Sequence, residues 1–316
     1  DGLAIAVDKS DIDREVDAGA RHHLALEGIA VHVDDAGQGV THVIRGEDHV
    51  NSTPKYLLLL EALGMTVPQA FAHMPLLVNE GRKKLSKRRD DVSMADYRAR
   101  GYLPEAMVNY LALLGWGPDD GVEVRPIEEI IGQFSLEGIN PSPAGFDPKK
   151  LAHVNAEKLR ALDPEAFLSV SEPFLAAGPW ASEDFDRDAF LALAPEVQSR
   201  VKTLAEVPAM VDFLSPPEPI MDEASVTKAI THSGASSALL AGATQAFATV
   251  EWNAEALHGA TLAVGEAHGL KLGKAQAPIR VAVTGRTVGP PLFEALVLLG
   301  RETTLDRLRR AAAPTD

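Results

Sequence analysis

The sequence predicts an α/β region followed by an all-α region, and three observations carry that expectation. A β-branched run, Val40-Thr41-His42-Val43-Ile44, and an apolar run, Met74-Pro75-Leu76-Leu77-Val78, flank a helical pattern, which is the order of a parallel βαβ unit. From Asp147 onward, cap-like residues repeatedly introduce segments whose apolar residues have helical spacing. The chain has 316 residues, 46% of them hydrophobic, enough to bury more than one core.

Composition restricts the function classes. No run of about 18 or more apolar residues is present, and no basic segment followed by an apolar one opens the chain. Neither a membrane span nor a signal peptide is expected, and the expected location is cytoplasmic. Zero cysteines exclude disulfides and thiolate metal sites, so no zinc is expected. The formal charge of -15 opposes indiscriminate nucleic-acid binding but permits a local basic track on an acidic body.

Taken in order, residues 1 to 35 carry weak signals. Ala4, Ala6 and the alternation through Ala30, Val31, His32 and Val33 fit short strands, while Ser10 to Ala20 fits a loop or a short exposed helix. Val40 to Ile44 then reads as a buried strand ending in the polar loop Arg45-Gly46. Thr53 fits an N-cap, Pro54 the first helical position, and Gly64 the stop of an apolar helix through Leu63. Met74 to Val78 supplies the second strand. Parallel sheets bind ligands at the carboxyl ends of their strands. That places Arg45, Glu47, Asp48 and His49 where a ligand is expected, with Asp34 and Asp35 just before the first strand. Arg45 is the foremost candidate, because a guanidinium grips a carboxylate with two parallel hydrogen bonds. Glu47 and Asp48 have a second reading, as electrostatic support for the next helix N-terminus. The histidines His22, His23, His32, His42, His49 and His73 show no metal-ligand spacing, and core or solvated roles are expected for them.

Six cationic side chains fall within Arg82-Lys83-Lys84-Leu85-Ser86-Lys87-Arg88-Arg89. A solvated basic turn is the default for such a run. Gly81 as the turn opener, Leu85 as an apolar anchor and the Ser86 hydroxyl between lysines point instead to a phosphate-handling loop. Beyond it, Ser93 with Asp96 starts a short helix stopped by Gly101, and Pro104 starts another that ends at Gly115. Helices are expected after Asp147-Pro148, Asp163-Pro164 and Ser182, with Phe167, Val170 and Phe174, and then Val197, Val201 and Leu204, as core stripes. Pro216-Pro217-Glu218-Pro219 reads as a turn. Lys271, Lys274, Arg280 and Arg286 form a basic face that either meets RNA backbone or is merely solvated.

Several of these segments together resemble the bacterial glutamyl-tRNA synthetases, a family of class I aminoacyl-tRNA synthetases. They are Val33-Asp34-Asp35, Gly39 to His49, Ser52-Thr53-Pro54-Lys55, His73 to Leu77 and Lys84-Leu85-Ser86-Lys87-Arg88, in that order. Gly101 to Ala106, Asn109 to Trp116 and Phe146 to Leu151 are similar to the family's following regions. Gly269 to Lys274, Val281 to Gly285 and Pro291 to Glu294 are similar to its anticodon-binding part. The resemblance implies the C-terminal part of a Rossmann-like catalytic domain over 1-80, then a signature loop and stem-contact-like helical region over 81-155. A helical anticodon-binding bundle follows over 156-316, unlike the β-barrel expected of glutaminyl relatives.

The implied activity is activation of glutamate with ATP and Mg2+, then transfer to tRNA(Glu), by a monomer. Lys87 would stabilise departing pyrophosphate in the transition state, with Lys84 and Ser86 on the phosphates. Arg45 would bind the glutamate side-chain carboxylate, Glu47 and Asp48 would shape the adenosine pocket, and Arg88, Arg89, Arg280 and Arg286 would meet tRNA.

The family's other signature, a His-Ile-Gly-His-type turn, does not occur in these residues. His22-His23-Leu24-Ala25 stands where the family has a Tyr-His-Leu-Ala-like segment, with extra residues before Val33. The expectation is therefore a chain truncated or rearranged at its N-terminus. The alternative function is a non-catalytic tRNA-binding or regulatory paralogue. The expected outcome for these 316 residues alone is little glutamate-dependent exchange of pyrophosphate into ATP; robust exchange would show that the missing signature is dispensable.

Overall fold

In the computed structural model, which describes residues 26–85, 93–176, 186–214, 219–231 and 236–313, the expected βαβ unit is present. Strand β1 (His42–Gly46) pairs in parallel with β2 (Ala70–Met74), His42 standing opposite Ala70 and Gly46 opposite Met74. A 3-10 turn, Glu47–Ser52, and a helix, Thr53–Ala62, make the crossover. Gly64, at φ 66°, ends that helix as expected, and its N–H donates to the Glu61 carbonyl at 3.0 Å.

Three expectations are corrected. The second strand lies upstream of its expected position because Pro75 has no N–H to donate to a ladder. Pairing stops at Met74 and resumes beyond the proline as β3 (Leu77–Val78), which pairs in parallel with β4 (Ala144–Gly145). Strand β1 is not fully buried either, Ile44 being 48% exposed, since this sheet has two strands among the described residues and its faces are partly open. The segment around Ala30 to Val33 is not a strand but part of a helix, Leu26–Gly37. Its inward residues are His32, Val33 and Ala36, at helical spacing, while Val31 is 55% exposed.

By its internal contacts the chain divides into two units, residues Asp1–Asp96 with Pro104–Val154, and Tyr97–Leu103 with Asn155–Asp316. The second unit is helical. Asp163, Asp186 and Asn253 cap helices at Pro164–Leu175, Arg187–Gln198 and Ala254–Ala267, each side chain accepting the N–H three residues on. Val197, Val201 and Leu204 are buried, whereas the first stripe turns to centre on Phe167, Leu168, Ser171 and Leu175. Its expected members Val170 and Phe174 are only half-buried. A core built on Leu239, Phe247, Leu257, Ile279, Leu296 and Leu308 holds the C-terminal helices together. Ser182 and residues 216–218 lie outside the described residues.

Gly101 does more than end a helix. Its φ is 83°, its carbonyl accepts the Leu204 N–H at 3.0 Å, and a Cβ there would lie 2.5 Å from the Leu204 nitrogen. Beside it, the buried Asn155 side chain accepts the Leu103 N–H at 2.8 Å and donates to the Lys202 carbonyl at 2.6 Å. Backbone strain and the clash act together at Gly101, so Gly101→Ala is expected to lower the unfolding free energy by about 2–4 kcal/mol. Denaturant titration of the two proteins measures it, and a loss below about 1 kcal/mol would mean that the loop relaxes freely.

Candidate active site

Parallel register decides which side chains meet. Arg45 stands opposite His73, near the carboxyl ends of β1 and β2. Between them sits Thr53, fully buried at the first turn of the crossover helix. The Thr53 hydroxyl donates to the His49 carbonyl at 2.9 Å, Arg45 Nη2 donates to Thr53 Oγ1 at 2.6 Å, and His73 Nε2 lies 3.1 Å from the same oxygen. Thr53 is therefore not the helix N-cap that the sequence suggests. Ser52 holds that position without a side-chain cap, and the threonine hydroxyl serves the arginine instead.

The guanidinium carbon of Arg45 is 5.5 Å from the Tyr56 ring centroid and 5.6 Å from that of Phe71. Tyr56 in turn packs on His32, with ring centroids 3.8 Å apart. Burial lowers the pKa of Arg45, and burial followed by the Arg45 charge lowers that of His73. Arg45 Nε and His73 Nδ1 are buried with no hydrogen-bond partner. A part-buried cation held in an aromatic frame is suited to a carboxylate ligand. Sequence reasoning gave His73 a core or solvated role. Its place beside Arg45 follows from strand pairing, which no local signal in the sequence shows.

The second cluster is exposed. Lys84 Nζ donates to Asp48 Oδ2 at 3.1 Å, the side chains being 60% and 50% exposed. Asp48 follows β1 on the 3-10 turn, and Gly46 makes room for it, since a Cβ there would lie 2.5 Å from Asp48 Oδ1. Lys84 is placed by an antiparallel bridge to Val78, with the Leu85 N–H donating to the Leu77 carbonyl at 2.9 Å. The left-handed residue of that turn is Arg82, at φ 56°. The Lys84 hydrogen bond holds the Asp48 carboxyl below its usual value. An exposed pair of this kind is weak and exchanges readily for another anion. Glu47 is half-buried nearby in sequence, whereas Ser86, Lys87, Arg88 and Arg89 lie outside the described residues.

The basic face expected in the helical unit is reduced. Lys271 and Lys274 are exposed, but Arg280 donates to the Pro290 carbonyl at 2.7 Å and Arg286 pairs with Asp212, which is 2% exposed. Arg307 lies buried in the same unit and donates to the carbonyls of Phe213 and Val283. The two arginines expected on RNA are thus tied to their own unit, because a guanidinium near buried carbonyls and a buried carboxylate satisfies them first. Among the described residues no group of three or more His, Asp or Glu is placed to hold a metal ion.

A parallel βαβ unit with a part-buried arginine at its strand ends, followed by a helical unit, fits a class I aminoacyl-tRNA synthetase. The family of class I tRNA synthetases (E and Q), catalytic domain, matches residues 28–153, and the anticodon binding domain matches residues 166–312. The glutamate–tRNA ligase of Frankia casuarinae is 53% identical over 281 residues, which is 88% of this chain and 59% of that protein. The one from Thermobifida fusca is 52% identical over 283 residues, with the same shares. The crystal structure of a glutamate tRNA ligase from Elizabethkingia meningosepticum, in complex with its amino acid, superposes with a TM-score of 0.74 at 29% identity. It is matched over 91% of this chain and 60% of its own. The chain belongs to the glutamyl-tRNA synthetase family, and it spans about three-fifths of the length of the curated relatives it matches.

Burial pushes the Asp212 carboxyl from 3.8 up to about 6, against the pull of Arg286 and Arg307. The folded protein then binds more protons than the unfolded chain between about pH 4 and 6. Stability from this group is present at the acid end of that window and falls as pH rises through it. The thermal midpoint of the protein relative to Asp212→Asn should accordingly decrease from pH 4 to pH 7, and a constant difference would mean an ionised Asp212 throughout. Arg286→Gln, which strands the buried carboxyl, is expected to cost about 3–5 kcal/mol in a denaturant titration at neutral pH.

Proposed function

We propose that the protein works as a glutamate–tRNA ligase, activating glutamate with ATP and transferring it to the terminal adenosine of tRNA(Glu). The observation that carries this reading is Arg45, a half-buried guanidinium framed by Tyr56 and Phe71 at the end of β1, with Nε unpartnered. It binds the side-chain carboxylate of glutamate, and its fork favours that group over a neutral amide. The names of the relatives support the same substrate.

In the activation step the α-carboxylate of glutamate attacks the α-phosphate of ATP, forming glutamyl-adenylate and releasing pyrophosphate. Lys87 meets the charge that develops on the departing pyrophosphate, so its contribution falls on the transition state. Lys84 and Ser86 support the phosphates, with Lys84 exchanging Asp48 for phosphate oxygens. Glu47 and Asp48 shape the nucleotide pocket. Mg2+ held through ATP phosphates needs only one or two protein carboxylates, a donor set that Glu47 and Asp48 fit. When bound it neutralises phosphate charge.

Arg88 and Arg89 from the loop, with exposed Lys271 and Lys274, contact tRNA backbone. In this reading residues 1-80, 81-155 and 156-316 are catalytic, stem-contacting and anticodon-binding regions of a cytoplasmic monomer. No helix among the described residues is long and apolar enough to cross a membrane.

The test is pyrophosphate exchange by the full-length gene product. Arg45→Ala is expected to raise the KM for glutamate by roughly 100-fold while leaving that for ATP within about twofold. Lys87→Ala should lower kcat by about 10²–10³, with tRNA affinity nearly unchanged. An equal loss in kcat and tRNA affinity would reduce Lys87 to a general electrostatic role, and an unchanged glutamate KM in Arg45→Ala would remove the assignment of Arg45.

A further inference from the structure

We propose that His73 is a positioning residue for Arg45, acting through the Thr53 hydroxyl, and that this relay sets the affinity of the site for the glutamate carboxylate. The inference rests on the substrate-binding role of Arg45 given above.

Counting hydrogens fixes the direction of the relay. A threonine hydroxyl has one hydrogen to give and two lone pairs to accept with. The Thr53 hydrogen goes to the His49 carbonyl. Its two other close neighbours, Arg45 Nη2 at 2.6 Å and His73 Nε2 at 3.1 Å, must therefore both be donors. The relay therefore requires the His73 tautomer protonated on Nε2, with its lone pair on Nδ1. Burial, Arg45 and then His49 all act to keep the ring uncharged near neutral pH. A neutral ring is what the geometry needs, since an imidazolium would set a second cation against the guanidinium.

The relay spans three elements. Arg45 is on β1, His73 is its ladder partner on β2, and Thr53 opens the crossover helix. With Thr53 fully buried, no solvent exposure is available to replace a lost partner. Taking Nη2 onto Thr53 fixes the rotation of the guanidinium between Tyr56 and Phe71. Without His73 the hydroxyl loses one of its two donors and is free to turn from the Arg45 contact. The arginine then binds carboxylate from a broader set of rotamers. A histidine that merely filled the core would lower stability without changing the balance between the two substrates.

The experiment uses the full-length gene product and compares His73→Ala, His73→Gln, Thr53→Val and Thr53→Ser with Arg45→Ala in glutamate-dependent pyrophosphate exchange. His73→Ala and Thr53→Val should each raise the glutamate KM about tenfold, the size of one lost buried hydrogen bond, with the ATP KM and kcat within about twofold. Glutamine, which offers an N–H at similar reach, and serine should each restore the glutamate KM to within about threefold. Nitrogen-15 spectra of the imidazole should show Nε2 protonated and Nδ1 unprotonated.

A glutamate KM unchanged in His73→Ala but raised in Arg45→Ala would overturn the relay while leaving the site intact. Failure of His73→Gln to rescue, with both substrates affected alongside a lowered thermal midpoint, would show a structural histidine and overturn it too. An unchanged glutamate KM in Arg45→Ala would overturn the reading of the site, and this inference with it.

Discussion

One buried oxygen carries much of the first unit's organisation. Thr53 Oγ1 has the His49 carbonyl, Arg45 and His73 around it, drawn from the crossover and both strands of the parallel pair. A buried hydroxyl must find partners, and a buried guanidinium must find more. Satisfying both at a single atom ties the register of β1 against β2 to the start of the helix. A slip of one residue would turn Arg45 to the other face of the sheet and leave Thr53 short of a donor. The site is thus a consequence of the same pairing that builds the βαβ unit.

Two ion pairs with similar chemistry serve opposite ends. Lys84 with Asp48 is exposed, worth little to stability, and well suited to being exchanged for another anion. Arg286 with Asp212 is largely buried, and there the desolvation of the carboxylate outweighs the attraction strongly enough to raise its pKa. The surroundings, more than the partners, separate a pair that can handle a ligand from one that fixes helices. The same logic ties Arg280 and Arg286 to groups of their own unit and leaves Lys271 and Lys274 exposed.

Relatives about half identical over the matched residues and a superposable crystal structure agree on the family, and the two matched regions fall on the strand-bearing part and the helical part of the chain. Within the helical unit, the buried apolar residues need only suitable volume and spacing. Gly101 is different, because its carbonyl, its positive φ and the closeness of Leu204 leave no room for a side chain.

The sequence by itself determined the order strand, helix, strand, the helical character of the C-terminal half, and Arg45 as the cation at the end of the first strand. Those features rest on local chemistry: β-branching, caps at Asp163 and Asn253, glycine stops, and the guanidinium fork. It misplaced the second strand by overlooking what Pro75 forbids, and it took Ala30 to Val33 for a strand because a short apolar stretch fits either period. It also had no means to bring His73 to Arg45, to turn Thr53 from a cap into a bridge, or to bury Arg286 against Asp212. Each of those depends on at least one contact between residues 20 or more positions apart, the longest spanning 74. Only the tertiary structure decides such contacts, since strand register and helix packing, and not any local preference, set which polar groups must satisfy one another.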